Sequence, residues 1–183
     1  MLLENLPPEE LDKVEDSRSL VDEASHQIRT MSHLLHPPLL EEVGLVSALK
    51  CFVEGFSTRS NIQVTLEATN GITRYDPNIE IAVFRVVQEC LTNIHRHSES
   101  STARVKLNGG PKNLEVIVRD YGKGMLPEQL DNANARVGVG LSGMKQRLAQ
   151  LGGTLEIRTA NPGVVVVASV PVEAVLRDAQ SAA

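Results

Sequence analysis

The chain has 183 residues, 42% of them hydrophobic, and a formal net charge of −5. That is enough for one core plus an appendage, and an acidic balance without a basic stripe argues against nucleic-acid binding, which needs cations to neutralise phosphates. No apolar run approaches the roughly 20 residues of a membrane span, no secretory leader is visible, and the two cysteines, Cys51 and Cys90, read as buried, reduced thiols in a cytoplasmic chain.

Residues 1–60 read as mostly helical. Leu6-Pro-Pro-Glu-Glu10 is a turn into a helix striped by Leu11, Val14, Leu20, Val21, Ala24, Ile28, Met31 and Leu35, a pattern close to helical period. Pro37-Pro38 stops it, because the residue before proline avoids helical angles. A second helix is expected over 45–59, with Leu45, Ala48, Leu49, Phe52, Val53 and Phe56 as its apolar face. The helical first third cannot easily bury its stripe alone, which points to a partner helix, as in a dimer.

From residue 61 the period changes. Ile62, Val64, Leu66 and Ala68 alternate as a strand does. A helix entered through Asp76-Pro77 follows, with Ile79, Val83, Val86, Cys90 and Ile94 on its apolar face. Two alternating runs, Ala103–Leu107 and Leu114–Val118, flank the turn Asn108-Gly-Gly-Pro111 and predict a hairpin. The stretch to Arg136 is polar and irregular. A helix at about 141–151 and two strands, Thr154–Thr159 and Val164–Val170, complete the pattern around an Asn161-Pro-Gly163 turn. Hairpin-paired strands with helices on one face make an α+β, two-layer sandwich.

Three places carry chemistry. Glu89, Asn93 and His97 recur every fourth residue of the helix that begins after Asp76, so they share a face. An acid, an amide and an imidazole in a row can hold a cation and activate an oxygen nucleophile. Asp120-Tyr-Gly-Lys-Gly124 sets an acid at a strand end before spaced glycines, whose bare backbone lets a ligand approach; an ordinary turn is a close rival for this pentapeptide alone. Gly138-Val-Gly-Leu-Ser-Gly143 opens a helix, where free N–H groups suit phosphate. It also fits the G-x-G-x-x-G string of dinucleotide sites. That reading fails, because polar loop rather than a strand precedes it, and a Walker-type loop is absent.

In this order the three segments resemble the ATPase fold shared by sensor histidine kinases, DNA gyrase, a heat-shock chaperone and a mismatch-repair ATPase. The resemblance covers about residues 61–171. Phe84-Arg-Val-Val-Gln-Glu-Cys-Leu-Thr-Asn93, followed by His97, looks like the asparagine box of the histidine kinases paired with LuxR-type response regulators. Leu35-His-Pro-Pro-Leu-Leu-Glu-Glu-Val-Gly-Leu-Val-Ser-Ala-Leu49 is similar to the segment that joins dimerisation helices to the ATPase domain in that subfamily. The layout implied is a partial dimerisation and phosphotransfer region at 1–43, an ATP-binding catalytic domain at 44–172 and a tail at 173–183.

The resemblance also implies roles. Asn93 would bind Mg²⁺ through its amide oxygen, and Glu89 would be the general base or orient the group being phosphorylated. Arg96 and His97 would face the triphosphate. Asp120 would accept from the adenine amino group, with Gly122 and Gly124 giving the base room. Residues 125–137 would form a lid, and Gly138, Gly140, Leu141 and Gly143 would hinge it and meet the phosphates. ATP and Mg²⁺ are the cofactors implied. The partners implied are a response regulator with a LuxR-type output domain and a second copy of the full-length parent.

Two positions depart from the family. Tyr121 stands where Asn or Asp is usual, and Val164 where a threonine hydroxyl usually serves the adenine site; one lost polar contact costs about 0.5–1.5 kcal/mol. An acceptor histidine in this family precedes an acid, whereas His26, His33, His36, His95 and His97 precede Gln27, Leu34, Pro37, Arg96 and Ser98. The expectation is a kinase domain whose substrate histidine lies outside this chain. Two rivals share the nucleotide boxes: an anti-sigma-factor-like Ser/Thr kinase, and a binding module that uses nucleotide without catalysis.

Overall fold

A computed structural model describes residues 38–69, 74–110, 112–126 and 139–172. The turn at Leu6–Glu10, the stripe Leu11–Leu35, the lid from 127 to 137 and the tail from 173 lie outside the described residues. The chain divides into two compact units, Met1–Leu39 and Leu40–Ala183.

Helix α1 (Pro38–Ser60) begins earlier than the sequence suggests and breaks at Gly44, whose φ of 79° and ψ of 172° are not helical. Proline is tolerated in a first turn, so Pro38 opens a short turn and the expected helix resumes at Leu45. Leu45, Ala48, Leu49 and Val53 are buried. Phe52 meets Phe84 with ring centroids 5.6 Å apart, a pair worth about 0.5–1.5 kcal/mol beyond its burial. Cys51 is exposed, against expectation; it falls between the inward positions of the helical stripe.

Strand β1 (Gln63–Ala68) leads to helix α2 (Pro77–Asn93). Asp76 caps α2 by accepting the Asn78 N–H at 2.8 Å, with Pro77 in the first turn, an arrangement that satisfies a donor left open at a helix start. Nearly every side of α2 is covered. Ala82, Val83, Phe84, Val86, Val87, Cys90 and Leu91 are buried, and so are Glu80 and Gln88. Glu80 is 1% exposed. Its Oε1 accepts from Arg74 Nε at 3.1 Å and from the Tyr75 N–H at 3.0 Å. Arg74 in turn donates to the Glu41 and Leu40 carbonyls at 2.9 and 3.2 Å, beside the Gly44 break. Helix ends leave carbonyls without helical partners, and one guanidinium serves two of them here. Burial and the neighbouring Glu80 also push the Tyr75 hydroxyl pKa up.

Past Asn93 the helix widens into a π-turn, Ile94–Ser98, closed by Glu99 at a φ of 58°. The sheet follows: β2 (Thr102–Gly109), β3 (Asn113–Asp120), helix α3 (Val139–Gln150), β4 (Thr154–Thr159) and β5 (Val164–Pro171). Strand order is β1-β2-β3-β5-β4. The two expected hairpins form, with Val105 opposite Val118 and Ile157 opposite Val166. β1 is no hairpin strand: it runs parallel to β2 in the register Val64↔Ala103, as a strand joined by a helical crossover must. Ala103, Val105, Leu107, Leu114, Val116, Val118, Leu155, Ile157, Ala168 and Val170 are buried, while Arg104, Lys106, Glu156 and Arg158 are exposed on the other face. Helices therefore cover one face, and the fold is the two-layer sandwich expected. Among the described residues no helix is long and apolar enough to cross a membrane.

Candidate functional site

A cavity of about 470 Å³ opens between the end of α2 with its π-turn and the ends of β3, β4 and β5. It is lined by the apolar side chains of Cys90, Ile94, Val118, Met125, Ile157, Val164 and Val166 and by Asn93, Arg96, His97, Ser98 and Lys123. Asp120 also faces the cavity. This layout suits a ligand with a flat apolar body, one hydrogen-bond donor and an anionic tail.

Asp120 ends β3 and is 4% exposed. Its Oδ1 accepts the Gly122 N–H at 2.8 Å and its Oδ2 the Val164 N–H at 3.2 Å. Each carboxylate oxygen has about two acceptor sites, so each retains capacity for a ligand donor. Gly163 makes this approach possible: its φ is 95°, and a Cβ there would stand 2.1 Å from the Asp120 carbonyl oxygen. Val164 gives no hydroxyl, but its backbone orients the acid and its side chain lines the cavity. Tyr121 packs under Arg119, whose guanidinium carbon lies 4.7 Å from the ring centroid. Among the described residues Arg119 Nε is buried without a hydrogen-bond partner, and the ring face offers partial compensation.

On the other wall, Asn93 Nδ2 donates to Glu89 Oε1 at 3.4 Å. The fourfold spacing holds for this pair. From Ile94 the π-turn replaces it, so His97 reaches the cavity by a widened turn and not by α-helical stacking; single π-turns recur at functional sites. Glu89 does not line the cavity. Its carboxylate presses on the first turn of α3, where a Cβ on Gly140 would meet Glu89 Oε1 at 1.9 Å. An acid at a helix start is favoured by the exposed N–H groups there. Burial, then the Glu89 charge, pushes the Cys90 thiol up to about 12.

The cavity thus brings together Asn93, Arg96, His97, Asp120 and Gly124 of the residues singled out from sequence, and Glu89 and Gly140 flank it. Gly122 faces protein: a Cβ there would stand 1.9 Å from the Ser98 carbonyl oxygen. Among the described residues, Gly143 has nothing within 4 Å of its Cβ position. Leu141 lies in α3 with its side chain outside the described residues, as is all of Gly138. Sequence reasoning missed Ser98, Met125, Ile157 and Val166. The inward alternation of β4 and β5 was the available signal for the last two; nothing local marked Ser98.

The sequence profile of the family described as histidine kinase-, DNA gyrase B- and HSP90-like ATPase matches residues 78–174, more than half of the chain. The chain belongs to this ATPase family. Among its relatives, the signal transduction histidine-protein kinase/phosphatase DegS of Brevibacillus brevis is 32% identical over 90% of this chain and 42% of its own length. The sensor histidine kinase MctS of Rhizobium johnstonii is 32% identical over 81% of this chain and 32% of its own. The chain therefore spans less than half of either relative. Solved structures share the fold. The histidine kinase domain of a blue-light activated kinase from Erythrobacter litoralis EL346 superposes with a TM-score of 0.58 at 23% identity, over 70% of this chain and 61% of that one. The histidine kinase AdeS of Acinetobacter baumannii does so at 0.54 and 17%, over 91% and 86%. This ATPase domain is homologous to those of sensor histidine kinases, and ATP is the nucleotide of the family.

Proposed function

We propose that the chain is the ATP-binding catalytic region of a two-component sensor histidine kinase, acting on a histidine that residues 1–183 do not supply. The observation that carries this reading is a cavity lined by apolar side chains, by the backbone-oriented Asp120 carboxylate and by Asn93, Arg96 and His97. In the reaction an imidazole nitrogen of the acceptor attacks the γ-phosphorus, the bond to the β,γ-bridging oxygen breaks, and ADP leaves. Phosphoryl transfer asks a protein mainly to position groups and neutralise charge. Asp120 takes the base amine, Arg96 and His97 meet the phosphates, and Glu89 receives the imidazole proton or orients that ring.

The donor set fits Mg²⁺ as a cation shared with the nucleotide. Among the described residues there is no cluster of three or more His, Cys, Asp or Glu able to hold a metal alone, and Mg²⁺ is commonly held by one or two protein oxygens plus phosphates and water. Asn93 would supply that oxygen, and the ion would neutralise phosphate charge when bound. We read residues 1–43 as part of a dimerisation and phosphotransfer region, 44–172 as the catalytic domain and 173–183 as a tail. The full-length parent would be a homodimer serving a response regulator with a LuxR-type output domain, which the Leu35–Leu49 segment supports.

Calorimetric titration with Mg·ATP and incubation with γ-labelled ATP test the reading. The chain should bind ATP and carry no label itself, while a histidine-bearing phosphotransfer domain supplied in trans should gain acid-labile phosphate. Acid-stable phosphate on a serine or threonine partner would point to the anti-sigma-factor type instead. Absence of ATP binding would sink both kinase readings.

A further inference from the structure

Ser98 is the last residue of the π-turn and lines the cavity, and Ser100 lies two residues past it. Ser98 Oγ donates to the Ile94 carbonyl at 2.8 Å and accepts the Ser100 N–H at 3.1 Å. Its own carbonyl accepts the Lys123 N–H at 2.9 Å and fills the space beside Gly122. Ser100 Oγ donates to the Thr102 carbonyl at 2.6 Å and accepts the N–H groups of Thr102 and Tyr121 at 3.3 and 3.2 Å. Both serines are buried. Lys123 and Glu99 add an ion pair of 2.7 Å across the same seam, though an exposed pair of this kind contributes little.

We infer that the Ser98 and Ser100 hydroxyls are positioning residues for nucleotide binding: Ser98 sets the π-turn that presents Arg96 and His97, and Ser100 sets the Asp120 carboxylate. The inference rests on the nucleotide reading of the cavity. Ser98 closes the turn from within, by bonding the carbonyl four residues back. Ser100 does not line the cavity, so it acts through the Tyr121 N–H, one peptide from Asp120. The part-buried Tyr121 N–H, on losing this acceptor, turns toward another partner or water, and the carboxylate anchored next to it shifts with it. The two hydroxyls therefore affect different properties. Ser100 governs which base is read, and Ser98 governs how tightly the phosphates are held.

The test compares ATP and GTP affinity by calorimetry in wild type, Ser98→Ala, Ser100→Ala and Ser100→Thr. Loss of one buried hydrogen bond corresponds to about a fivefold change in affinity. Ser100→Ala should lower the ATP-to-GTP affinity ratio about fivefold, and Ser100→Thr, which keeps the hydroxyl, should restore it. Ser98→Ala should weaken both nucleotides by about that factor and leave the ratio unchanged. Ser100→Cys, of similar size and weaker hydrogen bonding, is read in the same way if the alanine variant does not fold. Folded variants with wild-type affinities and ratio, or an equal loss for both nucleotides in Ser100→Ala, would overturn the inference. A wild-type chain that binds no ATP would instead overturn the nucleotide reading itself.

Discussion

Asp120 meets two backbone N–H groups before it meets any ligand. Its replacement by alanine therefore does more than remove one contact to a base. The Gly122 and Val164 N–H groups lose their acceptors, at about 1–3 kcal/mol each if they stay buried and unpaired. Asp120→Ala should lower ATP affinity at least about tenfold and lower the melting temperature as well, whereas Asn93→Ala, which forfeits only the long bond to Glu89, should weaken Mg·ATP binding with a smaller change in melting; calorimetry and thermal melts on both variants separate the two effects. The cysteines differ as sharply. Cys51 is exposed and Cys90 buried, so a thiol reagent at neutral pH should modify one thiol in the native chain and both after denaturation. Because Cys90 rises from an ordinary 9.0 to about 12 on folding, its contribution to stability is complete below pH 9. It falls by up to about 1.4 kcal/mol per pH unit above that, as the unfolded chain ionises first. Urea melts between pH 8 and pH 11 should show that decline, and Cys90→Ser should flatten it.

At the scale of elements, helix α2 was legible in the sequence and its last turn was not. The spacing from Ile79 to Ile94 gave the buried face, and Asp76-Pro77 gave the start. The apolar pattern, however, runs through Ile94 without a break, so nothing local signals a π-turn held by Ser98. Alternation in β1 and β2 disclosed which residues point inward, but a period of two carries no information about which strand is the neighbour or in which direction it runs. Buried Glu80 was hidden for a similar reason: its partner Arg74 lies outside any periodic segment. The glycine turn shows the limit most clearly. Gly122 was read as making room for a ligand, yet its missing side chain accommodates Ser98 of its own chain. Gly122→Ala should therefore destabilise the folded protein by about 2 kcal/mol or more without ligand present, measured by denaturant melts. Gly143→Ala in helix α3, with open space at its Cβ position among the described residues, should be neutral or mildly stabilising.

For the whole molecule, one face of the sheet carries the helices and the other carries charge. The pairs Arg104–Glu67 and Arg158–Glu156 lie there at 3.4 and 2.6 Å and are exposed, so their removal should shift stability by well under about 1 kcal/mol. The buried half of the Arg74–Glu80 pair is different. Glu80→Ala should cost about 1–3 kcal/mol, because the Tyr75 N–H and the half-exposed guanidinium both lose their acceptor. Amide exchange should then rise at Tyr75 and in the first turn of α2. The break at Gly44 gives this pair a mechanical meaning. Leu40 and Glu41 belong by chain order to α1, but a guanidinium ties their carbonyls to the carboxylate nine residues before Glu89. The turn before Gly44 is thus fastened to the helix that ends in Asn93 by one arginine, separately from the Phe52–Phe84 contact made after the break.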